Sequence, residues 1–139
     1  MIMSKFEETV EQCHKAFNLP IRTAFNPKLL RLRKSLLQEE LAELSVELDS
    51  AIELTEKGEQ VPHDLFERIC KETADLQYVL SGYCVSFGLP IDEAFALVHE
   101  SNMSKLVDGK PLLREDGKFL KGPNYHKPDL SHLQQKVDD

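Results

Sequence analysis

The 139-residue sequence contains no tryptophan, only three cysteines and no long hydrophobic run. Cys13, Cys70 and Cys84 are odd in number and form no C-x-x-C pair, so neither a disulfide framework nor a zinc knuckle is indicated. No segment approaches the roughly 18 apolar residues of a membrane span, and the N-terminus lacks a basic region followed by an apolar run. We therefore expect a soluble, unprocessed, cytoplasmic protein with one domain over residues 1–139.

Basic residues are also fewer than acidic ones. The chain has 17 lysines and arginines against 24 aspartates and glutamates, a formal charge of -7. An acidic surface repels nucleic-acid phosphates, so we expect no nucleic-acid partner and, without a spanning segment, no membrane partner. A small phosphorylated ligand is still compatible with this charge if a metal ion or a local cluster of lysines offsets the repulsion.

Apolar spacing predicts an all-α protein, a bundle of about four helices. The first covers residues 3–17 and places Phe6, Val10, Cys13 and Phe17 on one face. The second starts after the cap Asn26, carries a proline in its first turn and continues for about 30 residues to a glycine stop near residue 58.

The third and fourth helices are predicted over residues 62–87 and 92–106. Gly88 ends the third helix and Asp92 caps the fourth. The bundle core therefore covers about residues 3–106. The glycine- and proline-rich segment 107–139 predicts an irregular tail with a short hairpin and a terminal helical turn from Asp129.

The second and third helices each carry an acidic motif beside a predicted apolar stripe. The stripe of the second helix consists of Leu37, Leu41, Leu44 and Leu48, and that of the third of Ile69, Leu76, Leu80 and Phe87. At about 100° per residue, acidic residues follow one edge of each stripe. They are Glu40, Glu43 and Glu47 on the second helix and Glu72 and Asp75 on the third.

Antiparallel packing of these two helices would bring at least four carboxylates to one place. Hard oxygen ligands with room for water are what Mg²⁺ prefers, and Mn²⁺ accepts similar ligands. A ferritin-like di-iron centre is not indicated, because the motifs contain no E-x-x-H. The alternative is an ordinary solvated face, since E-x-x-E is common on surface helices.

The order of the motifs resembles the MazG-like, all-α nucleoside triphosphate pyrophosphohydrolases, which include phosphoribosyl-ATP pyrophosphohydrolase-like domains. E-E-x-x-E at Glu39, Glu40 and Glu43 precedes E-x-x-D at Glu72 and Asp75. An N-x-x-K element follows at Asn102 and Lys105, and "REDGKFLKGPNY" is similar to the tail of a dUTP-preferring branch. The similarity covers about residues 28–128.

This resemblance implies Mg²⁺-dependent hydrolysis of (deoxy)nucleoside triphosphates, with dUTP favoured, to the monophosphate and pyrophosphate. It implies that Glu40, Glu43, Glu72 and Asp75 bind the metal. Glu40 or Glu39 would be the catalytic base, and Asn102 and Lys105 would contact the leaving pyrophosphate.

Other substrate contacts are suggested with an alternative for each. Lys118, Lys121 and Tyr125 could form a lid over the triphosphate, or belong to a solvated loop. His14 could line a base pocket with Phe17, or lie on the helix surface with no role.

More than one oligomeric state and more than one function are compatible with the sequence. The long helices have more apolar edge than a small monomer can cover, so we expect a homodimer or a dimer of dimers. Two alternative functions are phosphoribosyl-ATP pyrophosphohydrolase and a non-catalytic helical dimerisation module.

Overall fold

The computed structural model describes residues 4–138. Its helices are α1 (Lys5–Ala16), α2 (Pro27–Glu56), α3 (His63–Phe87) and α4 (Ile91–Met103). The short strands β1 (Leu112–Leu113) and β2 (Phe119–Leu120) pair antiparallel, with Leu112 opposite Leu120. The predicted all-α class and the short hairpin are therefore confirmed. The first position of the predicted first helix, Met3, and the end of the predicted tail, Asp139, lie outside the described residues.

Local chemistry explains the helix ends. The Asn26 side chain accepts a hydrogen bond from the Leu29 N–H at 2.9 Å, which satisfies a backbone donor in the first turn of α2. Gly88 ends α3 with a φ of 59°, in the left-handed region where glycine is unstrained. The predicted cap of α4 was wrong: Pro90 occupies the N-cap position and Asp92 lies inside the first turn, where its charge favours the helix dipole.

The described chain divides into two compact units. The larger contains residues 4–89 and 136–138, and the smaller contains residues 90–135. Within residues 4–138 no helix combines the length and the apolar character that crossing a membrane requires.

In the larger unit, α3 packs against both α2 and α1. The order of contacts shows that α2 and α3 are antiparallel: Arg33 lies near Gly82 at one end, and Glu47 contacts Arg68 towards the other. Buried apolar side chains lie near both ends of α3, including Leu65 and Phe87. The Phe87 ring lies 4.9 Å from that of Phe25, measured between centroids.

The faces of α1 and α2 differ from the predicted stripes. Phe6 in α1 and the C-cap residue Phe17 are exposed, while Glu7, Glu11 and His14 are buried. In α2, partial burial recurs at Glu40, Leu44, Glu47, Ala51 and Leu54, whereas Leu41 and Leu48 are exposed. The α2 helix is therefore turned by about one residue from the prediction, because its contact with α3 includes the acidic edge. On α3, Leu80 is also exposed.

The C-terminal segment 136–138 joins the larger unit by backbone hydrogen bonds. The Lys136 N–H donates to the Gly88 carbonyl at 2.8 Å, and the Asp138 N–H donates to the Arg22 carbonyl at 2.9 Å. The Arg22 guanidinium also donates to the Asp138 carboxylate at 2.9 Å. In place of the predicted helical turn from Asp129, the described residues form one turn with no helix, in which the Leu133 N–H donates to the Leu130 carbonyl at 3.0 Å. The Asp129 carboxylate accepts the Ser131 N–H at the start of this turn.

In the smaller unit, the tail is held against the C-terminal end of α4. The Ser101 hydroxyl donates to the His126 carbonyl at 2.8 Å, and the His126 N–H donates to the Ser104 hydroxyl at 3.1 Å. The Gly122 N–H donates to the Lys105 carbonyl at 3.0 Å. These bonds fix the path of the chain after the hairpin.

Replacing Gly88 by alanine should destabilise the protein more than the same change at Gly58. Both glycines have positive φ, 59° and 74°, so both alanines carry the cost of the left-handed conformation, about 1–2 kcal/mol. A Cβ at Gly88 would also lie 1.8 Å from the Lys136 carbonyl oxygen, whereas nothing lies within 4 Å at Gly58. Urea unfolding of both variants measures the difference; equal losses would show that the contact with residue 136 does not constrain Gly88.

Candidate metal centre

The structure brings together the four carboxylates of the two acidic motifs. Each motif places its two acids three residues apart, which puts them on one face of its helix. One oxygen from each of the four side chains lies within 4.8 Å of the others. These side chains, which we call the acidic cluster, belong to Glu40, Glu43, Glu72 and Asp75.

The acidic cluster is electrostatically unfavourable without a cation. Burial raises the pKa of Glu40, and the hydrogen bond with Glu43 and the charges of Glu43, Asp75 and Glu39 raise it further. One buried oxygen of Glu40 and one of Glu72 have no hydrogen-bond partner among the described residues. Buried polar atoms without a partner are costly, so these oxygens fit a cation that needs hard oxygen ligands.

Lys71 supplies a positive charge at the edge of the acidic cluster. Its ammonium lies 2.7 Å from an Asp75 oxygen and 3.6 Å from a Glu72 oxygen. The hydrogen bond to Asp75 raises the pKa of Lys71, so the lysine stays charged. Lys71 was not predicted from the sequence, although its position four residues before Asp75 is the spacing of a helical ion pair.

Two other glutamates of α2, Glu47 and Glu39, flank the acidic cluster without belonging to it. Glu47 contacts Arg68 on α3, with 3.0 Å between a carboxylate oxygen and Nε, so the acidic edge divides into a cluster and an ion pair. Glu39 is exposed, and its charge acts on the neighbouring Glu40.

Five of the predicted substrate residues belong to the smaller unit. Asn102 and Lys105 line a pocket of about 350 Å³ whose other walls come from Leu106, Pro111, Leu112, Phe119 and Leu120. The Lys121 ammonium lies 4.7 Å from the centre of the Tyr125 ring, a cation–π contact. Lys118 is exposed.

His14 is buried, with 2% of its surface exposed, so its predicted position on the helix surface was wrong. Its Nδ1 lies 2.9 Å from the Pro20 carbonyl oxygen and its Nε2 lies 3.4 Å from an Arg33 nitrogen. A carbonyl only accepts, so Nδ1 carries the proton and Nε2 accepts from the guanidinium. Burial, with the charge of Arg33, lowers the pKa of His14 and favours this neutral form. These contacts give the histidine a structural role, and its place in a base pocket with Phe17 stays a prediction.

Comparison with known proteins gives one family match. The family model described as phosphoribosyl-ATP pyrophosphohydrolase matches residues 3–102, which include α1, α2, α3 and both acidic motifs. No curated protein sequence matches the chain.

Divalent metal should stabilise the parent protein and should not stabilise a Glu43→Gln variant. At 100 times the Kd, a ligand that binds only the folded state stabilises it by about 2.7 kcal/mol. Thermal melts with and without Mg²⁺ or Mn²⁺ measure the shift. Without metal, Glu43→Gln should melt at or slightly above the parent temperature, because it removes a like charge.

The matched control is Asp49→Asn, which removes one charge from an exposed position on the same helix. It should keep the metal-dependent shift of the parent. Equal shifts in Glu43→Gln and Asp49→Asn would place the metal effect outside the acidic cluster.

Proposed function

The chain belongs to the phosphoribosyl-ATP pyrophosphohydrolase family, and from this membership we propose that it hydrolyses a nucleoside triphosphate between the α and β phosphates. The products are the monophosphate and pyrophosphate. The observation that supports this proposal most directly is the acidic cluster, whose four ligand oxygens lie within 4.8 Å of one another. Membership in this family supports nucleotide pyrophosphohydrolysis.

The residues of the acidic cluster fit Mg²⁺, with Mn²⁺ as an alternative ion. All four donors are carboxylates, and two of them have a buried oxygen without a partner in the described part of the chain. When bound, such an ion neutralises phosphate oxygens and acidifies a water molecule. Glu40, Glu43, Glu72 and Asp75 would hold it. The Lys71 ammonium would move away from Asp75 as the ion took over its charge compensation.

The proposed hydrolysis also requires a base for the attacking water and groups that stabilise the charge of the leaving pyrophosphate. Glu39 or Glu40 would accept the proton of the attacking water; Glu39 is the better candidate, because it is exposed and lies outside the four ligands. Asn102 and Lys105 would supply an amide donor and a cation for the leaving pyrophosphate. Lys118, Lys121 and Tyr125 are further candidates for phosphate and ring contacts.

Two substrates follow from different observations. The tail motif "REDGKFLKGPNY" is similar to that of dUTP-preferring enzymes, which makes dUTP our first choice. The matching family model is described by phosphoribosyl-ATP, which makes that nucleotide the second. A non-catalytic helical module is the third possibility, and it predicts no turnover of either substrate.

Pyrophosphate release from dUTP, the other common deoxynucleotides and ribonucleotides, and phosphoribosyl-ATP tests the proposal. We expect metal-dependent release by the parent, highest with dUTP. Glu43→Gln should lower it about 100-fold or more, since even the hydrogen-bond partners of metal ligands are worth about 10- to 100-fold. Asp49→Asn should retain it. No release from any of these substrates by the parent would support the non-catalytic module.

The same assay identifies the base. Glu39→Gln should lower the rate by about 10²- to 10⁴-fold, the usual contribution of a general base, while the metal-dependent melting shift is retained. Loss of the shift together with the rate would instead assign Glu39 to metal binding.

We also propose that the protein is a homodimer or a dimer of dimers. Leu41, Leu48 and Ile52 on α2 lie within about 40° of one another around the helix axis and are 42–54% exposed. An apolar stripe of this kind on a soluble helix marks a surface for association. The leucines expected to contact α3 would then contact a second copy.

Light scattering should give the mass of at least two chains for the parent and of one chain for a Leu48→Lys/Ile52→Lys variant. Val46→Lys is the matched control, because Val46 is 63% exposed but lies about 140° away from Leu41 on the same helix. A monomeric parent would contradict the proposed association.

A further inference from the structure

A groove between α1 and α3 lies in the same unit as the acidic cluster. It has a volume of about 480 Å³, within the range of small-molecule sites. Its α1 wall consists of Lys5, Phe6, Thr9 and Val10, and its α3 wall of Ala74, Gln77, Tyr78 and Ser81. The aromatic side chains Phe6 and Tyr78 are 59% and 45% exposed, so both rings are open to a ligand.

One polar side chain in this groove has its orientation set by a buried relay. The Gln77 amide donates to the Ser81 hydroxyl oxygen at 2.9 Å, and the Ser81 hydroxyl donates to the Glu7 carboxylate. The other Glu7 oxygen accepts from the Ser4 hydroxyl. Ser81 and Glu7 are only 1% and 9% exposed, so this relay belongs to the core.

The relay determines which way the Gln77 amide points. A carboxylate only accepts, so Ser81 gives its proton to Glu7 and can offer only a lone pair to Gln77. The Gln77 nitrogen must therefore face Ser81. One amide N–H and the amide carbonyl oxygen have no hydrogen-bond partner among the described residues. An amide held in this way offers a ligand one donor and one acceptor in a fixed order.

The groove also lies beside the acidic cluster along α3. Tyr78 follows Asp75 by three residues, so the two side chains lie about 60° apart around α3 and about 4.5 Å apart along it. Gln77 lies about 100° further around the helix in the same direction. A ligand with phosphates at the acidic cluster would therefore need only a short linkage to place a ring in the groove.

We propose that this groove receives the nucleobase of the substrate, with Phe6 and Tyr78 against the ring and the Gln77 amide reading its hydrogen-bonding edge. This inference rests on the proposed function. The occupant must be flat and apolar on its faces, to suit the aromatic walls, and must carry a donor beside an acceptor, to suit the amide. Nucleobases meet both requirements. Gln77 is the specificity-determining residue, and Ser81 and Glu7 are positioning residues that prevent the amide from turning over.

The first test replaces Gln77 with leucine, which keeps much of its size and removes both amide contacts. For the preferred nucleotide, kcat/KM should fall by about tenfold or more. The ratio of kcat/KM between nucleotides with different bases should therefore become smaller. Inhibition by inorganic tripolyphosphate, which has no base, should not change. Gln12→Leu is the matched control, because Gln12 is exposed on α1 and does not line the groove.

The second test is Glu7→Gln. An amide at this position can donate as well as accept. The Ser81 hydroxyl can then reverse its hydrogen bonds, and the Gln77 amide can turn over. We expect the preference among bases to narrow while kcat for the best substrate is retained. A purely structural role for Glu7 would lower activity on all substrates alike and leave the base preference unchanged.

Three results would overturn the groove proposal. They are an unchanged base preference in Gln77→Leu, an equal loss towards all nucleotides and tripolyphosphate, and no nucleotide binding by the parent. The affinity for non-hydrolysable α,β-imido nucleotides, measured in the presence of Mn²⁺, tests the groove proposal independently of the proposed hydrolysis. If the parent binds these nucleotides in a base-dependent way and Gln77→Leu removes that dependence, the groove proposal is supported even when the parent hydrolyses nothing. If the parent hydrolyses nucleotides with a base preference that Gln77→Leu leaves intact, the groove proposal is overturned and the proposed function is retained.

Discussion

The mutual repulsion of four carboxylates between α2 and α3 is the constraint on which the rest of the fold depends. These carboxylates occupy the middle of a helix interface, where apolar side chains would ordinarily stabilise the fold. Glu40 is partly buried with a raised pKa, and within residues 4–138 two carboxylate oxygens there have no hydrogen-bond partner. An unfavourable arrangement of this kind persists only when the surrounding structure holds it in place.

The surrounding structure does so with long helices and cores at their ends. The helices α2 and α3 contain 30 and 25 residues, more than the cluster itself needs. Leu65 is buried near one end of α3, and Phe87, with its contacts to Phe25 and Tyr83, near the other. Stability is thus concentrated on both sides of the acidic cluster. The helix backbones therefore set the positions of the four carboxylate oxygens, which would otherwise move apart.

The helix ends and motifs were predictable from the sequence because each depends on local chemistry. Asn26 and Gly88 act within one turn of their own positions, and the acidic spacing follows from the helical period alone. The side of each helix that faces its neighbour was not predictable. On α2 the leucines and the glutamates form adjacent edges, and periodicity does not say which edge a partner covers. For the same reason His14 was placed on the surface, since its burial depends on Arg33 nineteen residues away.

The bond between the Lys136 N–H and the Gly88 carbonyl closes residues 89–135 into a loop that begins and ends in the larger unit. The smaller unit is therefore an insertion anchored at both ends. The entropy lost in closing a loop rises only with the logarithm of its length, so residues can be added to or removed from this insertion at small thermodynamic cost. The acidic cluster lies wholly outside it. Relatives of this chain could thus vary the inserted segment extensively while retaining the two helices that carry the acidic cluster.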